Sequence, residues 1–258
     1  MRISNRFLAA ASIAALSLFA GSAMAEEKLI IASEGAYPPF NSLTTDGTLE
    51  GFDIDISKAL CAEMKVTCTF VANDWDGLIP GLQAKKFDAI VASMSITPER
   101  LEKVDFSKKY YNTPPAIAVP KDSKITSVAE LKGKIIGAQS ATTHANYAEK
   151  HMPGSELKLY PTADEYKLDI SNGRVDAVID DIVVLTEWTK SDAGACCKVL
   201  TKLPVDVEIN GPGAGIAVRK GETALADRFS KAIAAIRANG TYKKINEKYF
   251  AFDVYGDE

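Results

Sequence analysis

The chain has 258 residues, 47% of them hydrophobic and 25% charged, with a formal net charge of −4. A mildly acidic balance argues against a nucleic-acid partner, which favours a basic patch, and no low-complexity tract stands in the way of a packed core. Four cysteines without a CxxC pair and only two histidines, His144 and His151, give little from which to build a metal site.

The first 25 residues read as a secretory signal peptide. MRISNR carries two arginines and no acid, FLAAASIAALSLFAG is apolar, and AMA supplies a small-x-small site for cleavage after Ala25. The apolar run is shorter than the roughly 20 residues of a spanning helix, and no cysteine stands at the cut to take a lipid. Export to the periplasm is therefore expected. Cleavage removes Arg2 and Arg6, taking the charge from −4 to −6 and leaving 233 residues, enough for one large domain or two small ones.

Beyond the leader, KLIIAS reads as a strand, DISKALCAEMK as an amphipathic helix and VTCTFVA as a second strand. WDGLIPGLQAKK is helical, FDAIVAS a strand, and the β-rich PPAIAVPKD follows the aromatic-rich KKYYNT. A second series then begins: SVAELKG helical, KIIGAQ strand, TTHANYAEKHM helical, ELKLYP strand, ADEYKLDISNG helical, DAVIDD strand, IVVLTEWTK helical. AGIAVRK is a further strand, and a long helical stretch broken near Asn239-Gly240 closes the chain.

Strands alternating with helices predict an α/β fold with largely parallel sheets. Two such series predict two lobes. The first comprises residues 26–111 and 214–258, the second residues 115–210, and the hinge crossings fall at 112–114 and 211–213. Ordinary turns at those prolines and glycines are the alternative. In an exported chain disulfides are the default for cysteines. Cys61 and Cys68 stand where a helix end turns into the next strand and are expected to pair, although four cysteines allow three connectivities. Adjacent Cys196 and Cys197 are left open as either bonded or free.

No enzyme signature is present: no HExxH, no GxSxG, no Walker loop and no strand–GxGxxG–helix unit. A binding site gathers more support, at strand ends, where ligands of open α/β sheets lie. SEGAYPPFNS puts Glu34 after the first strand, with Tyr37 beside it, as a wall for a cationic group; a solvated loop acid near a turn is the alternative. ASMSITPER places Ser93, Ser95 and Arg100 where they can converge on a carboxylate, which a guanidinium fork matches; pairing of Arg100 with Glu99 or Glu102 on a solvated turn is the alternative. QSATTH sets Thr142 and Thr143 at a helix start, where free N–H groups favour an anion; plain capping is the alternative. VIDD ends a strand with Asp180 and Asp181, one of which can hold an ammonium while both can cap the next helix. An α-amino acid uses three of these features, and Glu34 is left for a second positive charge.

With these residues in view, the chain resembles the periplasmic solute-binding proteins of polar amino-acid ABC importers, above all those for lysine/arginine/ornithine, histidine and arginine. GFDIDISKALCAEM carries the resemblance most specifically, and DWDGLIPGL, ASMSITPER, NGRVDAV, GIAVRK and NGTYKKINEKYF follow in order. The resemblance implies the two-lobed type II periplasmic binding protein fold, closing on one amino acid, without cofactor or catalysis. It implies a monomer that docks on an inner-membrane ABC permease. In the family pattern Arg100, the Ser95 region and Thr143 hold the α-carboxylate, while Asp181 with the Ser93 region holds the α-ammonium. Tyr37 and Trp75 sandwich the side chain, Glu34 takes its cationic end, and Cys61 and Cys68 match the family disulfide.

Several positions depart from the lysine/arginine/ornithine pattern: Glu34 stands for aspartate, Trp75 for phenylalanine, Ala92 for serine, and His144 and Asp180 for glutamines. A Trp face is the strongest platform for a guanidinium, so arginine is favoured, with lysine, ornithine and histidine behind it. The alternatives are an opine, as an arginine derivative, and a cyclohexadienyl or prephenate dehydratase on the same fold.

Overall fold

The computed structural model describes residues 27–256, so the expected signal peptide lies outside the described residues. In chain order the first lobe runs β1 (Lys28–Ser33), β2 (Ala36–Tyr37), β3 (Asn41–Leu43), β4 (Leu49–Glu50), α1 (Phe52–Met64), β5 (Thr67–Ala72), α2 (Leu78–Gln83), β6 (Ala89–Ile90), α3 (Pro98–Lys103) and β7 (Val104–Tyr111). The second lobe follows with β8 (Pro115–Pro120), β9 (Ile135–Gln139), α4 (Thr143–His151), β10 (Glu156–Tyr160), α5 (Ala163–Ser171), β11 (Ala177–Asp181), α6 (Ile182–Lys190), β12 (Cys197–Lys202) and α7 (Val207–Asn210). The chain then returns to the first lobe as β13 (Ala214–Arg219), α8 (Thr223–Ala238) and α9 (Thr241–Tyr249).

Each lobe is built on one five-stranded sheet, in the orders β5-β1-β6-β13-β7 and β10-β9-β11-β8-β12. The central strands are apolar because helices cover both faces: Ile31, Ala32, Ala89 and Ile90 are fully buried, as is the whole of AVIDD. The sheets are mixed rather than wholly parallel. One strand in each runs against its neighbours: β13 is antiparallel to β6 and β7, and β8 is antiparallel to β11 and β12. These are the two strands that enter from the other lobe.

That reversal locates the cleft. Pro115, which opens β8, pairs with Asp181 at the carboxyl end of β11, and Ala214, which opens β13, pairs with Tyr111 at the end of β7. Both passages between the sheets therefore leave from the edges where the parallel strands end. The second passage relies on glycine. Gly211 has φ +66, and a Cβ there would lie 1.8 Å from the Ile96 carbonyl oxygen. Gly211→Ala is expected to lower the Tm by roughly 4–10 °C, about 1–3 kcal/mol of strain. Thermal unfolding followed by circular dichroism measures it, and an unchanged Tm would mean that the passage relaxes.

Local chemistry explains the other boundaries. Lys65 takes a left-handed backbone (φ 56) that stops α1 and turns the chain into β5, bringing Cys68 to Cys61 with 6.2 Å between Cα atoms. These two cysteines are bonded, and Cys196 and Cys197 are also joined. SVAELKG forms only a 3-10 turn over Val128–Leu131, closed by a Ser127–Glu130 capping box. No helix among the described residues is long and apolar enough to cross a membrane.

Candidate functional site

The site forms where loops from both sheets meet. On the first lobe Glu34 directly follows β1 and is only 8% exposed. Tyr37, on β2, packs through Phe40 onto an aromatic cluster of Phe52, Tyr111 and Phe250. Trp75 opens a 3-10 turn after β5. Ser93 follows β6 with a left-handed backbone (φ 54), a conformation that a non-glycine residue keeps only when its surroundings fix it. Asp53 fixes it here.

Asp53 is fully buried on α1 and accepts hydrogen bonds from Ser93 Oγ (3.0 Å), Asn41 Nδ2 (2.8 Å) and the Tyr110 hydroxyl (2.8 Å). The Tyr110 hydroxyl in turn accepts from the Ser93 backbone N–H at 3.0 Å. Burial raises the Asp53 carboxyl to about 6, against the lowering effect of those three donors. This support was not found from sequence, although Asp53 lies within GFDIDI; as the first acid of a helix it reads as a macrodipole partner.

Arg100 sits in the first turn of α3, whose cap Thr97 accepts from the Arg100 backbone N–H. Its guanidinium donates to the carbonyls of Ser95 (2.9 Å) and Ala141 (3.0 Å) and stands 5.2 Å from the Trp75 ring centroid. Burial lowers it to about 10, so it stays charged at neutral pH. The Trp75 indole N–H donates to the same Ala141 carbonyl at 3.3 Å. Trp75 and Arg100 thus reach across the cleft together.

The second lobe answers with polar groups at its strand ends. Gln139, the last residue of β9, donates to Glu34 Oε1 at 2.6 Å and to the Pro161 carbonyl at 2.9 Å. Burial raises the Glu34 carboxyl to about 7; Gln139 opposes this, and Asp180, Asp164 and Asp76 reinforce it. Asp180 accepts from the hydroxyls of Tyr37 and Tyr166, and His144 Nδ1 lies 3.2 Å from its Oδ1. Asp181 accepts from the Thr113 hydroxyl and, at 2.7 Å, from the Val183 N–H at the start of α6. Burial raises Asp181 to about 7, with the adjacent Asp180 adding to the effect.

Eight of the nine residues expected at the site line one cavity of about 30 Å³: Glu34, Tyr37, Trp75, Ser93, Ser95, Arg100, Thr142 and Thr143. Ala92, Gln139 and His144 complete the lining. Asp181 is not among these groups, and its carboxylate caps α6 from a buried position beside Thr113. Thr142 lines the cavity and also caps α4, accepting from the Ala145 N–H at 3.2 Å. A groove of about 670 Å³ shares Trp75, Arg100 and Thr143 with the cavity. A volume of 30 Å³ holds about two waters, so the lobes must part to admit anything larger. Among the described residues no group of three His, Cys, Asp or Glu side chains is placed to hold a metal ion.

Residues 29–252 match the bacterial extracellular solute-binding proteins, family 3. The chain belongs to this family. An L-arginine-binding protein of Pseudomonas aeruginosa is 45% identical over 96% of this chain and 95% of its own length. A histidine-binding periplasmic protein of Salmonella typhimurium is 40% identical over 89% of this chain and 90% of its own. Among solved structures, an ancestral arginine-binding protein bound to arginine superposes with a TM-score of 0.80 at 36% identity, covering 88% of this chain and 99% of that one. These relatives are named for binding, and the family membership agrees with the two-lobed α/β architecture read from the sequence.

Proposed function

We propose that this family member is the periplasmic receptor of an ABC importer for a cationic L-amino acid, with arginine preferred over lysine, ornithine and histidine. The observation that carries the reading is one cavity lined by both a buried guanidinium, Arg100, and a buried carboxylate, Glu34, each from the first lobe. Arg100, with Ser95 and Thr143, holds the α-carboxylate. Asp181 and the Ser93 region hold the α-ammonium, and Glu34 takes the side-chain cation between Tyr37 and Trp75. Charge-assisted hydrogen bonds contribute about 1.5–3 kcal/mol each, so several of them with stacking support a Kd near micromolar or tighter.

Each lobe supplies part of this cradle, so binding favours the closed form, and the passages at 112–114 and 211–213 act as the hinge. The closed, loaded monomer then docks on the inner-membrane permease complex. The wider groove beside Arg100 favours a second reading, in which the ligand is a bulkier arginine derivative such as an opine.

Calorimetric titration after unfolding and refolding, to strip carried ligand, tests both. Arginine is expected to bind at micromolar Kd or tighter, with lysine, ornithine and histidine weaker and glutamine silent. Tighter octopine than arginine would move the reading to the derivative. No response to any basic amino acid would overturn it.

A further inference from the structure

Asp180 lies outside the cavity lining yet holds one residue that belongs to it, Tyr37, and stands beside a second, His144. It is 2% exposed at the end of β11 and accepts from the hydroxyl of Tyr37, the hydroxyl of Tyr166 and the Asp181 N–H (2.7 Å), with His144 Nδ1 at 3.2 Å. Tyr37 comes from the first lobe; Tyr166, His144 and Asp181 come from the second. We propose that Asp180 is a positioning residue that sets ligand selectivity by holding Tyr37 across the cleft. The proposal rests on the cationic amino-acid reading given above.

Asp180 accepts all three of its hydrogen bonds, from two tyrosine hydroxyls and one backbone N–H, so the Tyr37 hydroxyl is held as a donor. His144 is neutral at pH 7: burial lowers its imidazole, Arg100 lowers it further, and Asp180 opposes them. His144 Nδ1 lies 3.2 Å from Asp180 Oδ1 without a hydrogen bond aimed at it, and in either tautomer a neutral imidazole keeps one nitrogen able to accept. His144 lines the cavity, so the site gains a neutral acceptor in addition to Glu34.

Such an acceptor selects among cations. A guanidinium carries five N–H donors in one plane, more than Glu34 alone can satisfy while it also accepts from Gln139. A lysine or ornithine ammonium is a compact charge with three donors and needs fewer acceptors. Tyr37 acts in the same direction. Its hydroxyl is tethered to Asp180, so the ring is held in one orientation as a platform, and a planar cation gains most from a fixed aromatic face.

Asp180→Leu keeps approximate size but removes both acceptor oxygens, so the hydroxyls of Tyr37 and Tyr166 and the Asp181 N–H all lose their partner. Paired titrations of wild type and variant with arginine and lysine give the readout, with melting curves as a check on folding. Asp180→Leu is expected to weaken arginine about tenfold or more, and lysine by no more than about threefold, so that the arginine-to-lysine preference collapses. An equal loss for both ligands, or no loss, would overturn the proposal, because a merely structural role does not change the ratio. If the variant does not fold, Tyr37→Phe keeps the ring and removes the same tether; a preserved preference there overturns the proposal equally. Wild type that binds no basic amino acid would defeat the reading beneath it, whereas wild type that binds with an unchanged variant ratio defeats only the role of Asp180.

Discussion

Arg100→Met is expected to weaken every α-amino acid ligand by about 2–5 kcal/mol while moving the Tm of the ligand-free protein by less than about 4 °C. Two opposing effects produce this split. In the free protein Arg100 carries a desolvation cost, visible in the lowering of its guanidinium to about 10. Its hydrogen-bond partners are the neutral carbonyls of Ser95 and Ala141, and no carboxylate among the described residues lies within ion-pair distance of it. Glu99, next to it in sequence, is engaged with Lys103 at 2.8 Å. Replacement by a residue of similar length removes the buried charge together with those two bonds, and such exchanges are close to neutral for folding. The ligand loses the one cation that matches its carboxylate. Calorimetry with arginine and thermal unfolding of the same preparation check both halves; arginine affinity within threefold of wild type would remove Arg100 from the site.

How much of this was legible in the sequence depends on how local the cause is. KLIIAS and AVIDD announce themselves through the unbroken apolar runs LIIA and AVI, and the α/β alternation around them follows. Strands β7 and β12 were missed for the complementary reason. Each lies at the edge of its sheet, and each carries the lysines that edges tolerate, Lys108 and Lys109 in one and Lys198 and Lys202 in the other. The short strands β2 to β4 have no periodicity long enough to read.

The site divides in the same way. Strand ends can be read one at a time, and eight of the nine chosen residues meet at one cavity. Their partners across the cleft cannot. Glu34 and Gln139 are 105 residues apart, Tyr37 and Asp180 are 143, and nothing local marks either pair. Capping and ligand binding also draw on the same residue types at the same places, so Thr142 and Asp181 satisfy the helix-cap reading in the structure whatever else they do. Buried Asp53 was hidden because its three donors come from three other elements of the lobe.

Glu34→Gln should separate the side-chain pocket from the α-amino acid cradle, and pH makes the separation sharp. At pH 8 the variant is expected to lose about 2–5 kcal/mol of affinity for arginine and lysine, the range for removing one member of a buried charge pair. The loss should shrink as pH falls. Burial holds the free Glu34 carboxyl at about 7, so below that pH the wild type must release a proton to receive a cation. Its advantage over Gln therefore falls by about 1.4 kcal/mol per pH unit until the pKa of the bound form is reached. For the free fold, the sign runs the other way. A carboxyl raised above its unfolded value of 4.5 contributes stability at low pH that is lost as pH rises through 7, and Gln escapes that loss. The variant should thus melt above the wild type at pH 8 without ligand and bind basic ligands worse. Titrations from pH 5.5 to 8, in buffers of differing ionisation heat, count the released protons directly. Asp181, raised to about 7, contributes a second proton in both proteins if it meets the α-ammonium, so the diagnostic quantity is the difference between wild type and variant. A difference of zero protons, with equal arginine affinity at pH 8, would mean that Glu34 does not meet the ligand.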